Sequence, residues 1–266
     1  GATVVWAANH WVEAVEIHRL NHPGTMHKRQ NLVDPKLDWT MVPDHEVMLA
    51  APSCVGHTKA AGRCPPKMKD DARASAWAVN EAVAHHRPEV FVVENVPEMR
   101  KWDEEDTRWN EAHPKDRREL RGRDYQAWKR NLESMGYSLT EQIINAADAG
   151  AAMNRERLFV VGHRGEPIHI PQPRKKARPI KGLLDLRVVP ITRRNVRKQG
   201  SWSPLRPDSR RRMGLNPLAP TTWEQMRRGR EDYGDLYILP YYGATQSGRS
   251  ILRPLGSQDT RSRFAI

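Results

Sequence analysis

Two short apolar runs, with a helical pattern between them, each lead into a chemically reactive side chain. The first is Val47–Ala51, which is followed by Pro52, Ser53 and Cys54. The second is Glu89–Val93, which is followed directly by Glu94. Because a strand–helix–strand unit aligns its two strands in parallel, their carboxyl ends lie at the same edge of a sheet. The sequence therefore predicts that a thiol and a carboxylate share one site at the edge of a parallel sheet.

The N-terminal part of the chain alternates strand and helix patterns, which is typical of an α/β domain with a parallel sheet. Apolar spacing predicts helices over Val12–Leu20, with Val12, Val15 and Leu20 as a partial apolar face, and over Asp71–His86. Further helix and strand patterns are Val4–Ala8 (strand), Tyr125–Met135 (helix ended by Gly136), Tyr137–Ala146 (strand) and Leu158–Gly162 (strand). The charged segment 101–121 has no apolar period, so we expect a solvated loop or a ragged helix there.

The composition changes near residue 165, where the chain becomes rich in proline and arginine. We therefore divide it into an α/β domain over 1–164, a smaller irregular domain over 165–235 and a return segment over 236–266. The formal net charge is +12 and the pI about 10.0. Such an excess of cations indicates a polyanionic partner, most often nucleic acid, although general solubility is the alternative. Basic clusters recur at Arg174–Lys176, Arg193–Arg194, Arg197–Lys198 and Arg210–Arg212.

Several classes of protein do not fit this sequence. It contains no run of about 18 apolar residues, so we expect no membrane-spanning helix. Its two cysteines, Cys54 and Cys64, lack CxxC spacing, so neither a disulfide framework nor a zinc site is expected. A protein of a reducing cytoplasm that binds no metal is the simplest interpretation.

The strand-end residues permit nucleophilic chemistry. A thiol reacts as its thiolate, and a turn near a helix N-terminus and several arginines favours that anion. A nearby carboxyl group can hydrogen-bond a polarised substrate and, if protonated, donate a proton. The alternatives are that Cys54 is a small buried hydrophobe and that backbone N–H groups satisfy Glu94. A third cluster, Met153–Arg157, brings two arginines two positions apart into a strand, where they project to the same side; a surface charge pair with Glu156 is the alternative.

With these three blocks in this order, the chain resembles the DNA (cytosine-5)-methyltransferase family. Pro52-Ser53-Cys54 is similar to the family's Pro-Cys nucleophile loop, with Ser53 in place of the second proline. Glu94-Asn95-Val96 matches its Glu-Asn-Val motif. Asn154–Arg157 is similar to its Gln-x-Arg-x-Arg motif, with Met153 where glutamine is usual. The resemblance implies a Rossmann-like S-adenosylmethionine-dependent methyltransferase fold with a smaller irregular target-recognition domain.

The resemblance also implies roles for individual residues. Cys54 is expected to add to C6 of a cytosine that is flipped out of double-stranded DNA. Glu94 is expected to hold N3 and the exocyclic amine of the base. Arg157 is expected to contact its O2, and Arg155 to support the nucleophile loop.

The cofactor implied by the resemblance is S-adenosylmethionine. The segment Asn9-His10-Trp11 is similar to the family's second cofactor motif, in which an aromatic ring stacks on adenine and an acidic residue binds the ribose. Trp11 fits the aromatic role, although a core position at a helix start is the alternative, and His10 stands where the carboxylate is usual. Asn31 and Leu32 occupy the place of the adenine contact, and Pro52 is expected beside the cofactor.

Two family blocks would lie outside the sequence, the Gly-rich loop before Gly1 and the C-terminal motifs after Ile266. We therefore expect a chain truncated at both ends, which by itself would not bind S-adenosylmethionine normally. Two alternatives stay open: a non-catalytic DNA-binding relic, and a cytosine-5 methyltransferase acting on transfer RNA. We further expect a cytoplasmic protein encoded by a prokaryote or a phage, with restriction–modification, phage and orphan settings all open. The oligomeric state stays open as well, with a monomer favoured.

Overall fold

The computed structural model describes residues 2–54, 66–183, 220–234, 237–240, 249–254 and 264–265. Contacts divide the chain into two compact units. The first unit is Gly1–Ile144 with Glu156–Gln172, and the second is Asn145–Arg155 with Pro173–Ile266.

The first unit alternates strands and helices, as expected. A short βαβ element opens it, in which β1 and β2 pair in parallel on either side of helix α1. A four-stranded sheet follows with the strand order β3-β4-β6-β5. Its elements are β1 (Trp6–Asn9), α1 (Val12–Asn21), β2 (Met26–Arg29), β3 (Val47–Ala50), α2 (Pro66–His86), β4 (Val90–Asn95), α3 (Glu104–Ala112), α4 (Arg123–Ser134), β5 (Ser138–Asn145) and β6 (Glu156–His163), with 3-10 turns at Trp39–Met41 and Pro97–Lys101.

The four-stranded sheet is mixed, whereas the sequence predicted a parallel one. Strands β3 and β4 are parallel, with Ala50 opposite Val93, but β4 and β6 are antiparallel, with Glu94 opposite Phe159. No helix is assigned between β5 and β6, and parallel pairing requires a long crossover, usually helical. The expected parallel arrangement therefore holds only for the strands that a helix connects.

One face of this sheet carries the core. Strand β4 alternates, with Phe91, Val93 and Asn95 buried and the residues between them only half-buried. Helices α2 and α4 contact each other, and Trp128 of α4 donates from Nε1 to the carbonyl oxygen of Ala76, at 2.9 Å. Both helices were predicted, and each buries one apolar face, with Ala76, Val79 and Val83 in α2 and Tyr125, Trp128 and Leu132 in α4. The main buried residues are Ala76, Val79, Val83, Phe91, Val93, Met99, Trp102, Tyr125, Trp128, Leu132, Tyr137, Leu158 and Val160.

Two expectations about apolar residues are wrong. In α1 only Val15 is buried, and Leu20 is 78% exposed, so the predicted apolar face is not a core face in the described residues. Strand β3 was expected to be buried, but it lies at the edge of its sheet, and Leu49 is 76% exposed. Its burial alternates, with Met48 and Ala50 packed against the core and Val47 and Leu49 exposed, so only one face of this strand is packed in the described residues.

The charged segment 101–121 contains a regular helix, which its lack of an apolar period did not predict. Asp103 caps helix α3, since its side chain accepts a hydrogen bond from the backbone N–H of Asp106 at 3.1 Å. Both carboxylates are buried, and Arg121 and Arg123 pair with them at about 3 Å. The hydrogen bonds from Arg123 hold the pKa of Asp103 at about 2, below its usual value.

The second unit contains a compact turn and a short helix–sheet element. In the turn, the Asn145 side-chain oxygen accepts hydrogen bonds from the backbone N–H groups of Ala147 and Arg155, both at 3.0 Å. These bonds close the Asn145–Arg155 segment on itself. The remaining elements are a 3-10 turn (Ile180–Leu183), α5 (Pro220–Tyr233), β7 (Tyr237–Pro240), β8 (Arg249–Ser250) and β9 (Phe264–Ala265).

Helix α5 shows how some of the basic residues are used. Arg227 pairs with Glu224 and Glu231 along the helix, and Arg228 pairs with Glu224. These arginines are thus engaged in intrahelical pairs at the usual spacing. The predicted basic clusters at 193–194, 197–198 and 210–212 lie outside the described residues, as does Cys64.

Candidate active site

The thiol and the carboxylate lie at corresponding ends of neighbouring strands. Because Ala50 of β3 is opposite Val93 of β4 in a parallel pair, both chains leave the sheet at the same edge. Glu94 comes directly after Val93, and Cys54 comes four residues after Ala50. Cys54 is half-buried and forms no disulfide. The predicted juxtaposition of the two strand ends is therefore what the register of β3 and β4 produces.

A side-chain hydrogen bond ties these two strand ends together. Asn95, which is 2% exposed, donates from Nδ2 to the carbonyl oxygen of buried Pro52 at 3.1 Å. Its Oδ1 also accepts from the backbone N–H of Val96 at 2.8 Å. Because both polar atoms of this buried amide are hydrogen-bonded, the Asn95 side chain keeps one rotamer. The turn at Pro52 is therefore fixed to the end of β4.

Glu94 forms an ion pair with Arg157. The two residues are on the same face of the sheet, because Glu94 is opposite Phe159 and Arg157 is two positions away along β6. Arg157 Nε lies 2.7 Å from Glu94 Oε1, and the two side chains are 17% and 32% exposed. A carboxylate and a guanidinium are thus held together on the half-buried face of the sheet, where together they offer acceptor and donor groups to a planar polar ligand.

Arg155 has a different setting. It lies in the Asn145–Arg155 segment of the second unit, where its backbone N–H and carbonyl bond to Asn145 and Ala146. The backbone of this residue is therefore well anchored within its own unit. Its expected support of the nucleophile loop stays a prediction.

Most of the predicted cofactor residues lie at or just after the carboxyl ends of β1 and β2, whereas Pro52 follows β3. Asn9 ends β1, and its side chain accepts a hydrogen bond from the backbone N–H of Trp11 at 2.9 Å. Trp11 precedes helix α1 and its side chain is 60% exposed, so its ring face is accessible to a stacking partner and is not a core position. An open pocket of about 450 Å³ lies here, lined by His10, Arg29, Gln30, Asn31 and Asp34.

This pocket contains a carboxylate, that of Asp34, which the sequence motifs did not predict. His10 occupies the position where the family has an acidic residue, but Asp34 brings a carboxylate into the same pocket. Asn31 lines it too, and its Oδ1 accepts from the Val33 N–H at 3.3 Å. Leu32, the next residue in the chain, is half-buried and is not among the lining residues. The lining therefore offers polar and charged groups that can donate and accept hydrogen bonds. Asp34 lies in a turn after β2, and no sequence pattern predicted that it would line this pocket.

Comparison with known families decides the assignment. Residues 1–199 match the model of the family described as C-5 cytosine-specific DNA methylase. The chain belongs to this family. Membership confirms the resemblance drawn from the three motifs, and the alternating strands and helices agree with the Rossmann-like methyltransferase fold that the resemblance implied.

Curated relatives are bacterial enzymes. The chain is 26% identical over 134 residues to the Type II methyltransferase M.SsoII of Shigella sonnei, covering 50% of this chain and 30% of that protein. It is 24% identical over 150 residues to the Type II methyltransferase M.NgoBI of Neisseria gonorrhoeae, covering 56% and 41%. The match thus spans less than half the length of either relative. Among solved structures, a DNMT2 variant from Spodoptera frugiperda is similar over 69% of this chain and 52% of that one, with 13% identity and a TM-score of 0.48.

Two kinds of feature are absent from the part of the chain that the structure describes. No helix there is both long enough and apolar enough to cross a bilayer. Nor do three or more His, Cys, Asp or Glu residues group there as a metal ion would need.

Proposed function

We propose that the protein is an S-adenosylmethionine-dependent DNA methyltransferase that modifies C5 of cytosine. The observation that carries the proposal is the placement of Cys54 and Glu94 at adjacent strand ends in a chain of this family, with Arg157 paired to Glu94. The relatives named Type II methyltransferases support duplex DNA as the substrate and a restriction–modification setting.

Cys54 is the proposed nucleophile. Cytosine is not nucleophilic at C5. Addition of the Cys54 thiolate to C6 converts the ring into an enamine-like species in which C5 is nucleophilic. When bound, S-adenosylmethionine would supply the methyl group as an electrophile and leave as S-adenosylhomocysteine. Loss of the C5 proton to water and expulsion of the Cys54 thiolate from C6 would then restore the aromatic ring. Because C6 cannot be reached within a duplex, the base must be flipped out of the stack.

Glu94 and Arg157 are the proposed contacts to the base. The Glu94 carboxyl group would hold N3 and the exocyclic amine, and Arg157 would contact O2. Their ion pair places an acceptor and a donor side by side before the substrate arrives, so that negative charge entering the ring meets a prearranged partner. Arg155 completes this set as a support for the nucleophile loop.

The pocket beside β1 is the proposed cofactor site. Trp11 would stack on the adenine, and Asn9 holds the backbone of Trp11 in place. His10, Asn31 and Leu32 border the same region, with Asp34 as the carboxylate for the ribose hydroxyl groups. Pro52 would lie beside the reacting end. The basic segment 165–235 is proposed as the region that selects the DNA sequence, with most of its arginines on phosphates.

The test uses the full-length protein, duplex DNA and cofactor with a labelled methyl group. We expect label to enter cytosine C5, and we expect Cys54→Ala to abolish transfer because it removes the thiolate proposed to add to C6. Cys64→Ala is the matched control, since it removes the only other thiol, and it should retain activity.

Other outcomes would point to other functions. Labelling of transfer RNA in preference to duplex DNA would make RNA the substrate. DNA affinity without any heat of S-adenosylmethionine binding in calorimetry would indicate a non-catalytic relic, an alternative that His10 and Met153 motivate. Full activity of Cys54→Ala would overturn the nucleophile assignment.

A further inference from the structure

One peptide unit in front of the proposed nucleophile is held at both of its polar atoms. The unit joins Pro52 to Ser53. Its carbonyl oxygen accepts a hydrogen bond from Asn95 Nδ2 at 3.1 Å, and its N–H donates to Ser75 Oγ at 2.9 Å. Because a trans peptide directs its C=O and N–H to opposite sides, the two side chains grip it from opposite edges.

These two hydrogen bonds fix the direction in which the chain enters Cys54. A planar peptide can rotate only through the dihedral angles on either side of it, here ψ of Pro52 and φ of Ser53. The pyrrolidine ring already restricts φ of Pro52. Holding both the C=O and the N–H removes the remaining rotation of the plane, and this plane lies one residue before the thiol.

The two side chains that hold this peptide, Ser75 and Asn95, belong to well-packed parts of the fold. Ser75 is on α2 and is 7% exposed, and the next residue, Ala76, is fully buried. Its helix is bonded to α4 through the Trp128 indole and the Ala76 carbonyl. Asn95 is at the buried end of β4. The position of the turn is therefore set by helix α2 and strand β4 together.

We propose that Ser75 is a positioning residue for Cys54, acting through the Pro52–Ser53 peptide with Asn95 as its counterpart. This inference rests on the proposed function, because it gives the turn a reason to be fixed. Ser75 touches neither substrate nor cofactor in this proposal. It holds Sγ where a flipped base can be attacked, and it does so by accepting one hydrogen bond that a purely apolar residue cannot accept.

The main variant is Ser75→Ala, which removes the acceptor without adding volume. The Ser53 N–H then loses its hydrogen bond to Ser75 Oγ, while the Pro52 carbonyl keeps its bond from Asn95, so the peptide plane is less tightly held. A misplacement of about 1 Å at a reacting group can lower a rate about 100-fold. We expect kcat to fall by about 10- to 100-fold, while KM for DNA changes little, because Glu94 and Arg157, the residues proposed to hold the base, are untouched.

Ser75→Thr and Asn80→Ala are the matched controls. Thr keeps a hydroxyl acceptor, so it should restore most of kcat despite its extra methyl group. Asn80 is another buried polar residue of α2, whose Nδ2 donates to the Trp128 carbonyl at 3.2 Å. Asn80→Ala should lower the thermal midpoint without the selective loss of kcat. This control separates a general destabilisation of α2 from loss of the hydrogen bond between Ser75 and the Ser53 N–H.

A second readout does not depend on turnover. In a Cys64→Ala background, the rate of alkylation of Cys54 by iodoacetamide should change in Ser75→Ala and return in Ser75→Thr. The outcomes are distinguishable from those of the proposed function. An unmodified protein that transfers no methyl group refutes that function. An active protein whose Ser75→Ala variant keeps both kcat and the alkylation rate refutes the role of Ser75. Loss of kcat in equal measure in Asn80→Ala also overturns it, since the effect would then be one of stability alone.

Discussion

The Glu94–Arg157 ion pair can be tested by a double-mutant cycle in the protein without ligand. Glu94→Gln removes the charge and keeps the shape of the side chain, and Arg157→Met removes the guanidinium and keeps much of its stem. If the pair forms as described, the double variant will lose less stability than the sum of the two single variants. The difference is the coupling free energy of the pair.

The geometry sets the size of that coupling. At the 2.7 Å separation of Arg157 Nε and Glu94 Oε1, two unit charges attract by about 1.5 kcal/mol in water and about 6 kcal/mol at an effective dielectric constant of 20. Desolvation and lost side-chain entropy offset much of this attraction, and fully exposed pairs retain only about 0.2–1 kcal/mol. Because both side chains are more buried than that, we expect a coupling of about 1–2 kcal/mol.

Urea unfolding monitored by intrinsic tryptophan fluorescence is the assay, because buried tryptophans such as Trp102 and Trp128 become exposed to solvent on unfolding. A matched control is the pair Glu16–Arg19 of α1, which has a similar 2.5 Å separation but side chains 51% and 60% exposed. The cycle of Glu16→Gln and Arg19→Met should give about 0.3 kcal/mol, as for other helical pairs at the surface. The reasoning fails if the Glu94–Arg157 coupling is no larger than that of the control, because partial burial would then add nothing.

Two further predictions concern the stability of the first unit. Gly162→Ala should destabilise it by about 1–3 kcal/mol, because the added Cβ would overlap the fully buried ring of Phe91; urea midpoints check this, and Gly24→Ala, where nothing lies within 4 Å, should be nearly neutral. Arg123 lowers the folded pKa of Asp103 from 3.8 to about 2, so the stability it provides is present above pH 3.8 and is lost as the pH falls towards 2. Asp103→Asn should flatten that decline in urea midpoints, and an unchanged slope would contradict it.

Local patterns predicted the part of the site that depends on strand and helix periodicity. Cys54 and Glu94 were expected at one edge because each follows an apolar run, and the β3–β4 register has this arrangement. Helix α4 was predicted from Tyr125, Trp128 and Leu132, all of which are buried. Such features need only the spacing of residues close in sequence, which is why they can be read without a structure.

Features that depend on distant pairing were missed. Helix α3 lacks an apolar period because its buried positions include Asp106, which is compensated by Arg121 fifteen residues later. Its capping aspartate and acidic first turn were the available signals, and they are the usual marks of a helix start. Ser75 had no signal of its own, because its hydrogen bond to Ser53 crosses 22 residues of sequence. Helix α1 shows the opposite error, because an apolar face was predicted but Leu20 is exposed. Hydrophobicity alone does not tell which neighbouring elements cover a residue.

The alternation of strand β4 explains why an asparagine directly follows the glutamate of the proposed site. Successive side chains of a strand project to opposite faces. Asn95 therefore projects to the same face as Phe91 and Val93, where its amide is buried and bonded to Pro52, while Glu94 projects to the other face and meets Arg157. One strand end thus anchors the turn that carries the thiol and also presents the carboxylate. A shift of β4 by one residue would exchange these two faces, so the relation between thiol and carboxylate depends on the same register that packs Phe91 into the core.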